Sequence, residues 1–291
     1  MKVLLAMPHV FSPKENSLYS SQTESKRQQK QQALLRATIG NLNRHQQWHW
    51  IHASLGKNKD VVNRELQTSD GVSLKTVVFT PPGANLSGEL PEDKNLKIIH
   101  TKIKDFQQIP LGTSRYLLEN CDDYDMIAYI EDDIVIQDPY FFTKIEYLVN
   151  QTSEEYAFIP HRCEHIPGKG DVILSGDPDG GRPDLFWDTG EKLTVPWPLG
   201  SRVFYRATNP HSGCYFLTRS QAQKVRDFWV SKNWKLIWSI AGPLESAASG
   251  VLIPVLKVMK PIPEHYRFLM VRHQDSLWLR HAFETQPAGP C

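Results

Sequence analysis

The 291-residue chain carries 33 Lys and Arg against 32 Asp and Glu, for a net charge of +1, with 40% hydrophobic and 22% charged residues. Length and balance fit one large α/β domain with a sizeable core and exclude a disordered chain, and the near-neutral charge gives no case for nucleic acid or an anionic membrane surface. Cys121, Cys163, Cys214 and Cys291 lack CxxC spacing, which argues against a zinc cluster and fits reduced thiols in a cytoplasmic protein, and no apolar run is long enough for a transmembrane segment.

A first strand is expected at Lys2–Val10. Its apolar run is too short, and meets Pro8 and His9 too soon, to read as a secretory signal. After a polar stretch from Phe11 to Lys30, Leu34, Leu35, Ile39 and Leu42 recur near helical spacing and predict a basic helix over Arg27–His45. Strands are expected at Trp48–Ser54, which carries His49 and His52, around Val77–Phe79, and at Leu96–Ile103. In Ile109–Cys121 the residues Gly112, Thr113 and Ser114 read as a helix lead-in. Thr113 or Ser114 would cap the first turn and place free backbone N–H groups and Arg115 at the ligand edge of the sheet.

The chain is organised around Met126–Asp138, MIAYIEDDIVIQD. Met126–Ile130 reads as a strand buried on both faces; Glu131, Asp132 and Asp133 halt it, and Ile134–Ile136 resume it. Three adjacent carboxylates repel one another and are costly to desolvate, so they need a cation or a solvent-filled cleft. Acids closing a buried strand stand where α/β proteins place ligands, and oxygen-only donors point to Mg²⁺ or Mn²⁺. Pro8, His9 and Val10 open onto the same edge if the sheet is parallel. A solvated acidic turn is the alternative reading.

Past the acids, a helix is expected at Pro139–Asn150 and short strands at Tyr156–Pro160 and Val172–Leu174. Gly176–Trp197, rich in Gly, Pro and acids, reads as a long binding loop that holds Asp179, Asp184 and Asp188. Strands follow at Arg202–Arg206 and Gly213–Leu217, then a helix over Ser220–Ser231 with Ser220 as N-cap. Trp229, Trp234 and Trp238 serve either core packing or stacking on a sugar. Gly242–Gly250 reads as a turn into a small-residue helix with Glu245 in its first turn, and His273 follows an apolar run in RFLMVRHQDS.

This order of parts resembles nucleotide-sugar-dependent glycosyltransferases of the GT-A fold. It comprises a strand and basic helix, then Gly112-Thr-Ser-Arg115, an apolar strand ending in Glu131-Asp132-Asp133, and later Ser212-Gly-Cys-Tyr-Phe-Leu-Thr-Arg219. Ile109–Asp138 looks like their donor segment, with Glu-Asp-Asp standing as the DxD motif. The resemblance implies a single Rossmann-like α/β/α domain with a mixed, mostly parallel central sheet, its donor half in residues 1–138 and its acceptor half in 139–291. It implies transfer of a sugar from a nucleotide diphosphate sugar, expected to be UDP-linked, to a hydroxyl of a glycan, lipid-linked or small-molecule acceptor, with Mn²⁺ or Mg²⁺ as cofactor. Asp133 is then the expected metal ligand, while Glu131 and Asp132 contact donor hydroxyls. Pro8, His9, Val10, Gly112 and Arg115 border the donor. His273 is the first choice for a further metal ligand and His265 the second; Glu245 is the candidate general base, although it stands in Leu-Glu-Ser where relatives pair two acids.

Two other readings stand beside this one. A nucleotidyltransferase would carry a glycine-rich loop directly after the first strand, and here no glycine occurs before Gly40. A non-catalytic carbohydrate-binding protein of the same fold would lack metal-dependent donor hydrolysis.

Overall fold

The computed structural model describes residues 1–12, 26–45, 71–166, 168, 170–173, 188–207, 212–234 and 242–274. In chain order the strands are β1 (Lys2–Pro8), β2 (Ser73–Thr80), β3 (Leu96–His100), β4 (Met126–Ile130), β5 (Ile134–Val135), β6 (Tyr156–Phe158) and β7 (His161–Ile166). They continue as β8 (Gly170–Ile173), β9 (Asp188–Val195), β10 (Arg202–Ala207), β11 (Cys214–Thr218), β12 (Lys257–Pro261) and β13 (Met270–His273). The helices are α1 (Arg27–Leu35), which passes through a π turn into α2 (Asn41–His45), then α3 (Ile109–Glu119), α4 (Phe141–Gln151), α5 (Arg219–Ser231) and the short α6 (Pro243–Glu245).

The central sheet has the order β11-β4-β1-β2-β3, with β1 to β4 parallel and β11 closing the edge antiparallel to β4. All five β4 residues and β1 from Val3 onward are buried, as continuous apolar runs require when helices cover both faces. Alternate residues divide between two cores. Val3, Leu5, Ala128 and Phe216 pack against α1, α2 and α4 through Leu34, Leu42, Phe141 and Phe142. Leu4, Ala6, Ile127, Tyr129 and Tyr215 pack against α3 and α5 through Leu117, Leu118, Val225 and Trp229. The layering is a Rossmann-like α/β/α arrangement built on a mixed, mostly parallel sheet. The register Val3↔Met126 through Ala6↔Tyr129 brings the ends of β1 and β4 out together, so His9 and the acids share one edge.

Among the described residues two smaller sheets accompany the central one. One has the order β6-β12-β10-β9, the other β5-β13-β7-β8. The second folds a late strand back onto the residues just after the acids.

Several local expectations are corrected. Helix α3 starts at Ile109 with Pro110 in its first turn, where a residue lacking an N–H and fixed in φ is best tolerated. Gly112 to Arg115 therefore lie inside the helix and expose no free N–H groups. Thr113 donates back to the Ile109 carbonyl and Ser114 to that of Ala247, so neither is a cap. Thr218, not Ser220, caps α5, in a capping box with Gln221. Residues 188–195 form strand β9 rather than loop: Leu193 packs on the core and Val195 is buried, while Lys192 and Thr194 face out, a period of two masked by the polar composition. Residues 176–187 of that expected loop, with Asp179 and Asp184, and the side chain of Asp188 lie outside the described residues, as do Trp48–Ser54 with its two histidines, Trp238, Asp275 and Ser276. Trp229 is a core residue whose indole N–H donates to the Val251 carbonyl at 2.8 Å, and Trp234 lies under the Arg115 guanidinium.

Candidate active site

The acids form a tight turn at the end of β4. The Glu131 N–H extends the β11 ladder by donating to the Gly213 carbonyl at 2.8 Å, and the Ile134 N–H closes the turn on the Glu131 carbonyl at 3.1 Å. The exit from the turn is held by α2. Asn41 donates from Nδ2 to the Ile134 carbonyl and accepts the Ile136 N–H at 3.0 Å, while Arg44 reaches the Ile136 carbonyl at 3.1 Å. Gly213 has φ +65°, and a Cβ there would stand 2.9 Å from Glu131 Oε2. Gly213→Ala is therefore expected to cost about 1–2 kcal/mol in backbone strain and to displace Glu131, read as a lower melting temperature together with lost activity.

His273 comes to this turn by sheet pairing across nearly half the chain. β13 runs antiparallel to β5 with His273 opposite Ile134, and parallel to β7. Its Nε2 lies 3.3 Å from Asp133 Oδ2, and its Nδ1 lies 2.8 Å from Glu164 Oε1. Arg162, two residues before Glu164 on β7 and also buried, carries its positive charge to Asp133 and Glu131. Asp133 Oδ1 is buried without a hydrogen-bond partner. Neither Arg162 nor Glu164 is singled out by sequence, although charges at alternate positions of a short strand are a usable signal.

The charges are strongly coupled. Burial opposes the Asp133 carboxylate, yet the His273 cation beside it, with Lys30 and Arg162, holds it well below the usual carboxylate range. Burial likewise opposes the His273 cation, but Asp133 and Glu164 raise its pKa to about 10. Glu131 is pushed well above the carboxylate range by burial and by the Asp133 and Glu245 charges.

These shifts set a pH dependence for the metal-free protein. His273 binds its proton more tightly folded than unfolded, so its contribution to stability is complete below about pH 6.5 and is lost as pH rises toward about 10. His45 and His161 are the reverse. Burial lowers both to about 4, so their contribution is complete above about pH 6.5 and is lost as pH falls. The melting temperature is expected to peak near neutrality and to fall on the alkaline side. Mn²⁺ should flatten that alkaline fall, because the metal takes the place of the His273 proton. An alkaline limb unchanged by Mn²⁺ would speak against metal binding at His273.

Among the described residues no three His, Cys, Asp or Glu side chains converge as a ready-made metal cage. The residues fit a metal held jointly by protein and substrate instead. Asp133 presents the orphaned Oδ1, and Glu164 on Nδ1 would leave His273 Nε2 as the donor, the carboxylate–histidine arrangement that orients a metal-bound imidazole. Mg²⁺ and Mn²⁺ are commonly completed by substrate phosphate oxygens and water.

Asp132 turns the other way. Its Oδ2 lies 2.5 Å from His9 Nδ1, and its Oδ1 accepts from Lys30 Nζ at 2.6 Å. The Leu86 N–H donates to His9 Nε2 at 2.9 Å, which fixes the imidazole as the Nδ1–H tautomer that donates to Asp132. Asp132, expected at donor hydroxyls, thus has both oxygens engaged within the protein. Lys30 carries no distinguishing signal in its Gln- and Lys-rich helix.

The remaining candidates fall on different sides. Glu245 sits in the first turn of α6, and its charge is felt at Glu131 and Tyr129; its Oε2 is buried without a partner. Pro8 is buried and Val10 half-buried at the β1 edge, beside the acids. Gly112 is a packing residue, since a Cβ there would meet Ile103 Cδ1 at 2.6 Å. Arg115 is half exposed and pairs with Glu119 at 2.7 Å one helical turn on. His265 accepts the Val203 N–H at 2.9 Å and is not brought to Asp133.

No family model matches the chain, and no curated protein matches it. Among solved structures, residues 1–349 of TarS from S. aureus are similar with a TM-score of 0.44 and 9% identity, over 95% of this chain and 61% of that one. The chain thus spans less than two thirds of that structure, and a likeness at this level carries no argument about chemistry. No described helix is long and apolar enough to cross a membrane.

Proposed function

We propose that the chain is a metal-dependent glycosyltransferase that moves a sugar from a nucleoside diphosphate sugar, with UDP the first candidate, to an acceptor hydroxyl. The observation that carries this reading is the meeting of Asp133 and His273 at the end of β4, with the other Asp133 oxygen buried there without a hydrogen-bond partner. Asp133 and His273 would hold Mg²⁺ or Mn²⁺, and Glu164 would orient the imidazole. Such an ion supplies Lewis-acid stabilisation of the charge that grows on the diphosphate as the glycosidic bond breaks.

The chain's own groups do the rest. Glu131 would accept from or donate to a donor hydroxyl, with burial and the neighbouring acids favouring its protonated form. Glu245 would take the proton of the acceptor hydroxyl as its oxygen attacks the anomeric carbon and the nucleoside diphosphate leaves. That role belongs to an inverting reaction; in a retaining one Glu245 has no such proton to remove. Glycan, lipid-linked and small-molecule acceptors all remain within this reading.

A thermal-shift panel of UDP, GDP, CMP and their sugars, each with and without Mn²⁺, tests it. Stabilisation by one nucleotide only in the presence of metal is expected. No stabilisation by any pair would sink the reading.

A further inference from the structure

We propose that Lys30 is a second anchor for the donor's diphosphate, aimed by a clamp of Asp132 and His9, so that Asp132 is a positioning residue rather than a ligand of donor hydroxyls. The proposal rests on the donor reading above and deepens it.

The clamp is a directed chain of hydrogen bonds. The Leu86 N–H donates to His9 Nε2 at 2.9 Å, His9 Nδ1–H donates to Asp132 Oδ2 at 2.5 Å, and Lys30 Nζ donates to Asp132 Oδ1 at 2.6 Å. Both His9 nitrogens and both Asp132 oxygens are engaged, which freezes the carboxylate in place. Lys30 ends the chain. An ammonium has three N–H donors, and among the described residues Lys30 makes this one hydrogen bond. Its side chain is 16% exposed, so the remaining donors are largely withdrawn from water. A largely buried cation with donors to spare is costly unless an anion completes it.

Position selects the anion. Asp132 is flanked by Glu131 and Asp133, and the Lys30 charge is felt at all three acids. An anionic ligand reaching both Lys30 and a metal on Asp133 must present several oxygens, and the diphosphate of the proposed donor does. The burial of Lys30 beside carboxylates also has a purely structural explanation, in which it only neutralises the acidic turn. The two explanations differ in what a phosphate ligand feels.

Inorganic pyrophosphate and Mn²⁺ are the probes. In Lys30→Met, pyrophosphate affinity at saturating Mg²⁺, measured by calorimetry, is expected to fall about tenfold or more, the equivalent of one charge-assisted hydrogen bond. Mn²⁺ binding measured by electron paramagnetic resonance should be unchanged or tighter, because a nearby cation has been removed. His9→Gln should weaken pyrophosphate less than Lys30→Met and leave Mn²⁺ binding intact. The wild-type protein in EDTA provides a readout that does not depend on any variant folding: weak, salt-sensitive pyrophosphate binding should persist there. Unchanged pyrophosphate affinity in Lys30→Met, parallel loss of Mn²⁺ and pyrophosphate, or no metal-free binding by the wild type overturns the proposal. If the wild type fails to bind Mn²⁺ while Lys30-dependent pyrophosphate binding persists, the metal reading fails and the Lys30 assignment stands.

Discussion

Asp133→Asn is expected to lower Mn²⁺ affinity by at least about 100-fold and to bring sugar transfer close to background, since even partners one shell out from a metal are worth about 10- to 100-fold. Asparagine keeps the shape of the side chain but removes the charge that both holds the metal and keeps His273 protonated without it. The variant should therefore also lose the alkaline fall in stability attributed to His273, because the imidazolium no longer has its nearest counter-charge. Glu164→Gln should behave as an orienting change, with Mn²⁺ weakened by about tenfold or more but transfer recoverable at high metal. Asp133→Asn that binds Mn²⁺ as the wild type does would remove Asp133 from the metal site.

Glu245→Gln is expected to reduce kcat by about 10²- to 10⁴-fold while the affinities for Mn²⁺ and donor stay near wild type, the pattern of a lost general base. Its position supports the separation. Glu245 approaches from α6 and influences Glu131, whereas the Asp133–His273 pair is built by β13 and β7. Determining the anomeric configuration of the product alongside kcat decides between outcomes: inversion with a large kcat loss supports the base, and an unchanged kcat removes it.

The parts of the fold that were legible in sequence are those in which burial is uniform. β1 and β4 are continuous apolar runs because helices cover both faces, and the sudden appearance of Glu131, Asp132 and Asp133 after Ile130 marks the edge of the sheet. β9 was not legible, because among its described side chains Leu193 and Val195 are the apolar ones turned inward and the rest reads as loop. The start of α3 was not legible from Thr113 and Ser114, because Pro110, not the downstream hydroxyls, marks it. His273 could be singled out as a candidate only by its place after an apolar run. Its approach to Asp133 comes from strand pairing between segments about 140 residues apart. Lys30, Arg162 and Glu164 were not legible for the same physical reason. A buried charge is recognisable by its partner, and their partners Asp132, Asp133 and His273 lie from about 30 to more than 100 residues away, at separations that carry no sequence period.

The central claim is that Asp133 and His273 together hold a divalent ion for a nucleoside diphosphate. Its most direct test is a Mn²⁺ titration of the wild-type protein followed by electron paramagnetic resonance, with and without UDP or GDP. One site is expected, tightened about tenfold or more by the matching nucleotide and lost in His273→Ala. A wild-type protein that binds no Mn²⁺ in either condition, or a His273→Ala variant that binds it unchanged, would contradict the account.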